Sequence, residues 1–187
     1  MGSPGTGSDR VLVVDDQPGL VNLYRVFLED SRDVRTATSG SEALEAVDET
    51  VDVVLLDRRM GAISGDEVLE ELRSRENDVP VAMVSAVQPD VDVLELPFDD
   101  YIVKPVEEPF LPERVDTLAS YDGLDETARE YIRYAAKKAV LDAEYVGDPT
   151  KTDAYQTVVA RLRDLREQLA EPPSHPYDGV DDDLDPD

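Results

Sequence analysis

The chain has 187 residues, with 44 Asp or Glu against 18 Lys or Arg, for a formal net charge of −26. That length accommodates one ordinary domain with an appendage or two small domains, and 41% hydrophobic residues are enough to build a core. So acidic a chain is unsuited to a sequence-independent grip on nucleic acid or on an anionic membrane, because both need clustered basic residues. With no cysteine and one histidine, His175, it also lacks disulfides, thiolate metal sites and histidine-based triads. Carboxylates, hydroxyls and lysine remain as the available chemistry. Asp outnumbers Glu 27 to 17 and Arg outnumbers Lys 14 to 4. This is the balance expected of a protein kept soluble in concentrated salt, where a Debye length of about 3 Å at roughly 1 M screens self-repulsion. No apolar run approaches the ~20 residues of a membrane span, and the expected location is the cytoplasm.

Residues 1–9 are rich in Gly and Ser and read as a disordered leader. The run Arg10-Val11-Leu12-Val13-Val14, closed by Asp15-Asp16-Gln17-Pro18, reads as a strand buried on both faces. Leu20, Leu23, Tyr24, Phe27 and Leu28 follow at helical spacing. The alternation continues with strands over 34–38, 51–56, 80–84 and 101–103 and helices over 40–48 and 65–75. Between Gln88 and Asp100, Pro89 and Pro97 leave room only for a short or irregular fourth helix, and a helix over 113–120 closes this part. Strands alternating with helices of about ten residues predict an α/β fold, a doubly wound five-stranded parallel sheet over residues 10–120.

Residues 121–170 change character. From Asp122, taken as an N-cap with Asp125 three residues on, apolar residues recur from Leu124 through Ile132 and Ala139 to Val146, until Gly147-Asp148-Pro149 breaks the helix. A second helix begins near Asp153, with Tyr155, Val158, Leu162, Leu165 and Leu169 at alternating spacings of three and four. The pair predicts an antiparallel helical hairpin or a seam for a second copy of the chain. Residues 119–170 hold eight basic and ten acidic residues, against a net −17 before them, so the hairpin offers a near-neutral contact surface. Residues 171–187, with seven acids, no basic residue and prolines from Pro172 to Pro186, read as a disordered acidic tail.

In a doubly wound sheet, ligands bind beyond the carboxyl ends of the strands. The residues there are Asp15 and Asp16, Asp57, Ser85 and Lys104. Three converging carboxylates with one ammonium form a set that Mg²⁺ satisfies. Lys104 and Ser85 are then placed to bind phosphoryl oxygens, and Asp57 to act as a nucleophile that forms an aspartyl-phosphate. Taken singly, Asp16 reads equally well as a helix cap, Ser85 as a turn residue and Tyr101 as core. Asp57 is harder to reduce to structure, because an acid directly after Val-Val-Leu-Leu sits where burial is costly.

The segments VLVVDDQP, VVLLDRRM with SGDEVL after it, VAMVSA and DDYIVKP, in order and each at a strand end, resemble the flavodoxin-like receiver domain of two-component response regulators. The resemblance covers roughly residues 10–120. It implies Asp57 as the phosphoacceptor for a histidine kinase, with Asp15 and Asp16 holding Mg²⁺ and the backbone carbonyl of Arg59 completing the metal shell. Ser85 and Lys104 become the phosphate-binding pair, Ala86 a small neighbour that leaves access, Tyr101 the aromatic that changes rotamer with Ser85, and the bond before Pro105 cis. Gly61 departs from the pattern, since the family usually has proline there. The hairpin, with YIRYAAKKAVLDAEY, resembles the HalX domain that follows a receiver in response regulators of halophilic archaea. The two resemblances imply a regulator with no enzymatic turnover beyond phospho-acceptance and autodephosphorylation. Its output would be transcriptional, through a protein partner, because the helices carry neither a helix-turn-helix nor a basic face. Two other readings stand beside this one: a constitutive interaction or homodimerisation module whose receiver does not switch, and an aspartate-nucleophile phosphatase. The usual second acid of such a phosphatase, two residues after the nucleophile, is here Arg59.

Overall fold

The computed structural model describes residues 9–87, 89, 91–144, 148–177, 180 and 184. Five parallel strands, β1 (Arg10–Val14), β2 (Asp33–Ala37), β3 (Val53–Asp57), β4 (Val81–Ser85) and β5 (Asp100–Val103), form one sheet in the order β2-β1-β3-β4-β5. Every residue of β3 and β4 is buried, whereas the edge strand β2 (DVRTA) is largely half-buried or exposed. This is the burial expected of a sheet covered on both faces, whose central strands are continuous apolar runs.

Alternation along the strands divides the core. Val11, Val13, Leu55 and Val84 face one side with Tyr24 and Leu28 of α1 (Pro18–Leu28) and Leu111, Val115 and Leu118 of α4 (Phe110–Ala119). Leu12, Val14, Leu56 and Met83 face the other, with Ala43 of α2 (Gly40–Ala46) and Val68, Leu69 and Leu72 of α3 (Gly65–Ser74). The irregular fourth helix expected from the sequence is a five-residue 3-10 turn, Val91–Glu95. It is too short to cover β4 and β5.

The missing cover comes from the C-terminal part. Helix α5 (Glu126–Glu144) packs against β5, and its Tyr131, Ala135, Ala136 and Val140 join the same cluster as Met83, Phe98 and Tyr101. Helix α6 (Asp153–Gln168) runs back along α5, with Arg161 paired to Glu130 and the Tyr155 hydroxyl donating to Asp142 at 2.8 Å. The pair is the antiparallel hairpin expected. The apolar stripe of α5, however, is spent on the chain's own sheet, and α6 packs on α5.

The attachment is polar as well. Arg73 Nη2 on α3 and Arg133 Nε on α5 donate to the two oxygens of buried Asp99, at 2.8 and 2.9 Å, and Val81 N donates to the same carboxylate at 2.9 Å. Lys137 Nζ donates to Leu94 O of the 3-10 turn at 2.6 Å, and burial pushes this amine down to about 8.

Three expectations are corrected. Asp122 does not cap α5: Gly123 sits at φ +78°, outside helical space, and Asp125 caps instead, its Oδ1 accepting from Ala128 N at 2.8 Å. Helix α4 begins at Phe110 rather than 113, because Pro112 falls in its first turn, where no backbone donor is needed. The tail read as disordered contributes Tyr177, Val180 and Leu184 to the core, and the Tyr177 hydroxyl donates to Asp100 Oδ1 at 2.8 Å. The acidic average of that segment hides three anchors. Residues 1–8 of the expected leader, Gln88, Val146, Gly147 and tail positions 178, 179, 181–183 and 185–187 lie outside the described residues. Among the described residues, no helix is long and apolar enough to cross a membrane.

Candidate functional site

Strands β1 and β3 are paired with Val14 opposite Leu56, so Asp15 and Asp57 end side by side at the carboxyl edge of the sheet. Both are buried, at 1% and 5% exposure, while Asp16 is exposed. Carboxylate oxygens of the three lie within 4.8 Å of one another. Lys104, just past β5, places Nζ 2.6 Å from Asp15 Oδ2 and 2.7 Å from Asp57 Oδ1. The other Asp15 oxygen accepts from Gln17 N at 2.9 Å, which fixes its carboxylate plane.

Charge compensation at this site is incomplete. Burial raises the Asp57 pKa above its ordinary value, the hydrogen bond and charge of Lys104 pull it back, and Asp15 and Asp16 push it up again. Burial alone would lower the Lys104 pKa, but its hydrogen bonds to Asp15 and Asp57 outweigh that and leave it raised. One ammonium thus serves two buried acids, with the exposed Asp16 beside them. An all-oxygen donor set of this kind, with a net deficit of positive charge, fits a hard divalent cation such as Mg²⁺. Arg59 lies two residues beyond Asp57 with its side chain exposed.

Ser85 ends β4, next to the strand of Asp57, and is 1% exposed. Its Oγ accepts from Val87 N at 3.1 Å, and its carbonyl accepts from Lys104 N at 2.8 Å. The Tyr101 hydroxyl donates to Val87 O at 2.9 Å, and its ring lies 5.7 Å from that of Phe98. Ser85 and Tyr101 are therefore held by the two polar groups of one residue, Val87. Ala86 is exposed, and the Lys104–Pro105 bond is cis. All five strand-end residues picked out in the sequence converge here.

Gly65 was not singled out. A Cβ there would lie 2.2 Å from the Asp57 carbonyl oxygen, so only glycine lets α3 start against the backbone of the central acid. Ser64 and Glu67 close a reciprocal cap around that start, with Glu67 N donating to Ser64 Oγ at 3.2 Å and Ser64 N to Glu67 Oε2 at 2.8 Å. The S-G-x-E pattern announced the cap, but the close approach depends on tertiary structure. At Gly61, by contrast, a Cβ would meet nothing within 4 Å.

Comparison with known proteins agrees with this geometry. The response regulator receiver domain model matches residues 11–116, and the HalX domain model matches residues 120–184. A Haloferax volcanii protein whose name proposes it as a transcriptional regulator is 45% identical over 157 residues, 83% of this chain and 27% of that protein. The transcriptional regulatory protein PrrA of Mycobacterium tuberculosis is 40% identical over 129 residues, 66% of this chain and 55% of its own length. The chain thus spans about a quarter of the first and about half of the second. Among solved structures, the receiver domain of Francisella response regulator 1452 superposes with a TM-score of 0.55 at 29% identity, covering 60% of this chain and 97% of that one. TrrA of Thermotoga maritima, in complex with Mg²⁺ and BeF, gives 0.52 at 33% identity over 59% of this chain and 98% of that one. The carboxylate cluster sits at the strand ends of a chain that belongs to the response regulator receiver family, with a HalX domain following the receiver.

Proposed function

We propose that this chain is a phosphorylation-switched response regulator in which Asp57 accepts a phosphoryl group from a histidine kinase and the C-terminal helices carry the output. One carboxylate oxygen of Asp57 attacks the phosphorus of a phosphohistidine. The new O–P bond forms as the P–N bond breaks, and the kinase imidazole leaves. Lys104 moves one hydrogen bond from Asp57 to a phosphoryl oxygen, and the Ser85 hydroxyl donates to another. Asp15, Asp16 and Asp57, with the backbone carbonyl of Arg59, would hold Mg²⁺, which when bound supplies charge compensation for carboxylates and phosphoryl oxygens. Hydrolysis by water returns the carboxylate and inorganic phosphate, with no other turnover.

The observation that carries this reading is the buried Asp57 paired to Lys104 at 2.7 Å beside two further acids. The route to the output is short. A Ser85 hydroxyl turned toward the phosphoryl group gives up Val87 N, and the same residue anchors Tyr101 through its carbonyl. Tyr101 shares its core with Tyr131, Ala135 and Val140 of α5, so its displacement repacks the hairpin directly. The near-neutral helices favour a protein partner in transcription over direct contact with DNA, and the cytoplasm is the setting where a kinase and such a partner meet. The test is incubation with acetyl phosphate and Mg²⁺ followed by mass spectrometry. One added phosphoryl group is expected, absent in Asp57→Asn; no addition, or an unchanged addition in the variant, rejects the reading.

A further inference from the structure

The described part of the C-terminal segment folds back over the seam between the receiver and α5. Residues 171–187 hold seven acids and no basic residue, yet Tyr177, Val180 and Leu184 are 8%, 2% and 3% exposed and share one core with Tyr101 of β5 and Val140 of α5. The Tyr177 hydroxyl donates to Asp100 Oδ1 at 2.8 Å, and the backbone N of Tyr101 donates to the same oxygen at 2.8 Å. The Tyr177 ring lies 5.3 Å from the Arg114 guanidinium of α4 and 5.5 Å from the ring of His175, which in turn lies 6.0 Å from that of Tyr131 on α5. One tyrosine thereby ties together β5, α4 and α5.

Two effects favour this docking and one opposes it. Pro172, Pro173 and Pro176 restrict the segment before it docks, which lowers the entropy lost when it does. Asp100 needs the Tyr177 hydroxyl, because its Oδ2 is ion-paired with Arg114 Nε at 3.6 Å but accepts no hydrogen bond among the described residues. Without Tyr177 this buried acid would be left still shorter of donors. Charge works the other way, since seven acids must settle on a chain of net charge −26. Three apolar anchors held against such repulsion form the kind of local contact that opens without global unfolding.

Tyr177 and Val180 also line a cavity of about 650 Å³ together with Tyr101, Ile102 and Val140. A Tyr101 side chain that gives up Val87 O therefore disturbs the walls on which Tyr177 and Val180 rest. We propose that the C-terminal segment is a strap, fastened through Tyr177, Val180 and Leu184 while Tyr101 is held by Val87, and released when phosphorylation of Asp57 displaces Tyr101. Release frees the acidic segment and loosens α5 from β5. The strap rests on the reading of Asp57 as phosphoryl acceptor and adds to it a regulated element outside the receiver. The coupling is reciprocal: whatever occupation of the Asp57 site contributes to release, release returns to the affinity of that site.

The test uses the full chain with methyl-labelled Leu and Val, titrated at constant salt with beryllofluoride and Mg²⁺ as the phosphoryl analogue. Val84, paired with Asp57 across β3 and β4, reports binding, and Val180 and Leu184 report the strap. In the free chain the Val180 and Leu184 methyls are expected away from their positions in a synthetic 171–187 peptide, and at saturation they are expected to move to those positions. Tyr177→Ala is expected to show them released without analogue and to bind the analogue at least threefold tighter. Peptide-like signals in the free wild type, unmoved Val180 and Leu184 signals while Val84 saturates, or equal analogue affinity of wild type and Tyr177→Ala overturns the strap and leaves the Asp57 reading intact. A Val84 signal that never shifts rejects the Asp57 reading, and the strap's trigger falls with it. If Tyr177→Ala loses its folded spectrum, Leu184→Asp is judged in its place, by its Val180 signal and its analogue affinity.

Discussion

Two groups of buried acids sit at opposite ends of the same sheet, and they are treated differently. At the carboxyl ends, Asp15 and Asp57 share a single ammonium, with Asp16 open to water beside them. At the start of β5, Asp99 is met by two guanidiniums and a backbone N–H, all within 2.9 Å, and is closed off by α5. Burial is nearly equal in the two places: Asp15 and Asp99 are each 1% exposed. The difference lies in unfilled capacity. A carboxylate with too few donors is available to a cation or an electrophile, whereas one with its lone pairs filled is a fastening.

The comparison breaks most visibly at the fastening. Asp99→Ala leaves Arg73 and Arg133 facing each other without their shared anion, and is expected to cost about 3–5 kcal/mol in urea unfolding, while acetyl phosphate still labels Asp57 in whatever fraction stays folded. A loss of labelling without a loss of stability would reverse the two roles. Gly65→Ala acts at the other end, since the new methyl must displace the Asp57 carbonyl. A destabilisation of about 1–3 kcal/mol is expected together with slower phosphoryl uptake, and an unchanged uptake rate would detach Gly65 from the site.

The smallest effect is a pH dependence. The folded Lys137 pKa, at about 8, lies below the ordinary lysine value of 10.5. Between those values the unfolded chain binds the proton that the folded chain has released, so stability contributed by this group rises with pH, by at most about 1.4 kcal/mol per pH unit. Stability curves of wild type and Lys137→Met should therefore diverge in favour of wild type from pH 8 to 10. Parallel curves would mean that α5 holds Lys137 in an ordinary environment.

The strands and the residues at their ends were legible because both signals are local: apolar runs of fixed length, each closed by the polar residue that carries chemistry. Asp15, Asp16, Asp57, Ser85 and Lys104 needed only the rule that such ends converge. Asp99 and Asp100 stood in the same DDYIVKP segment, yet their partners Arg73, Arg133 and Tyr177 come from three separate elements, and nothing in the spacing announces them. The hairpin was legible as a hairpin, since its heptad-like stripe is periodic. Its occupant was not, because a stripe states only that it will be covered. Tyr177, Val180 and Leu184 were lost for a compositional reason: each stands among acids, and the charge of the neighbours dominated the reading.

The cover that α5 lends to β4 and β5 has a consequence for how this chain is divided. Family boundaries fall near residue 118, between the two matched segments, but the interior does not divide there. Met83, Phe98 and Tyr101 belong to the first segment, and Tyr131, Ala136 and Val140, which seal them, belong to the second. Cutting at the boundary would leave an oily flank of the sheet facing solvent. The receiver of this chain is thus no interchangeable part to be joined to another output, because it borrows a wall from the one it has.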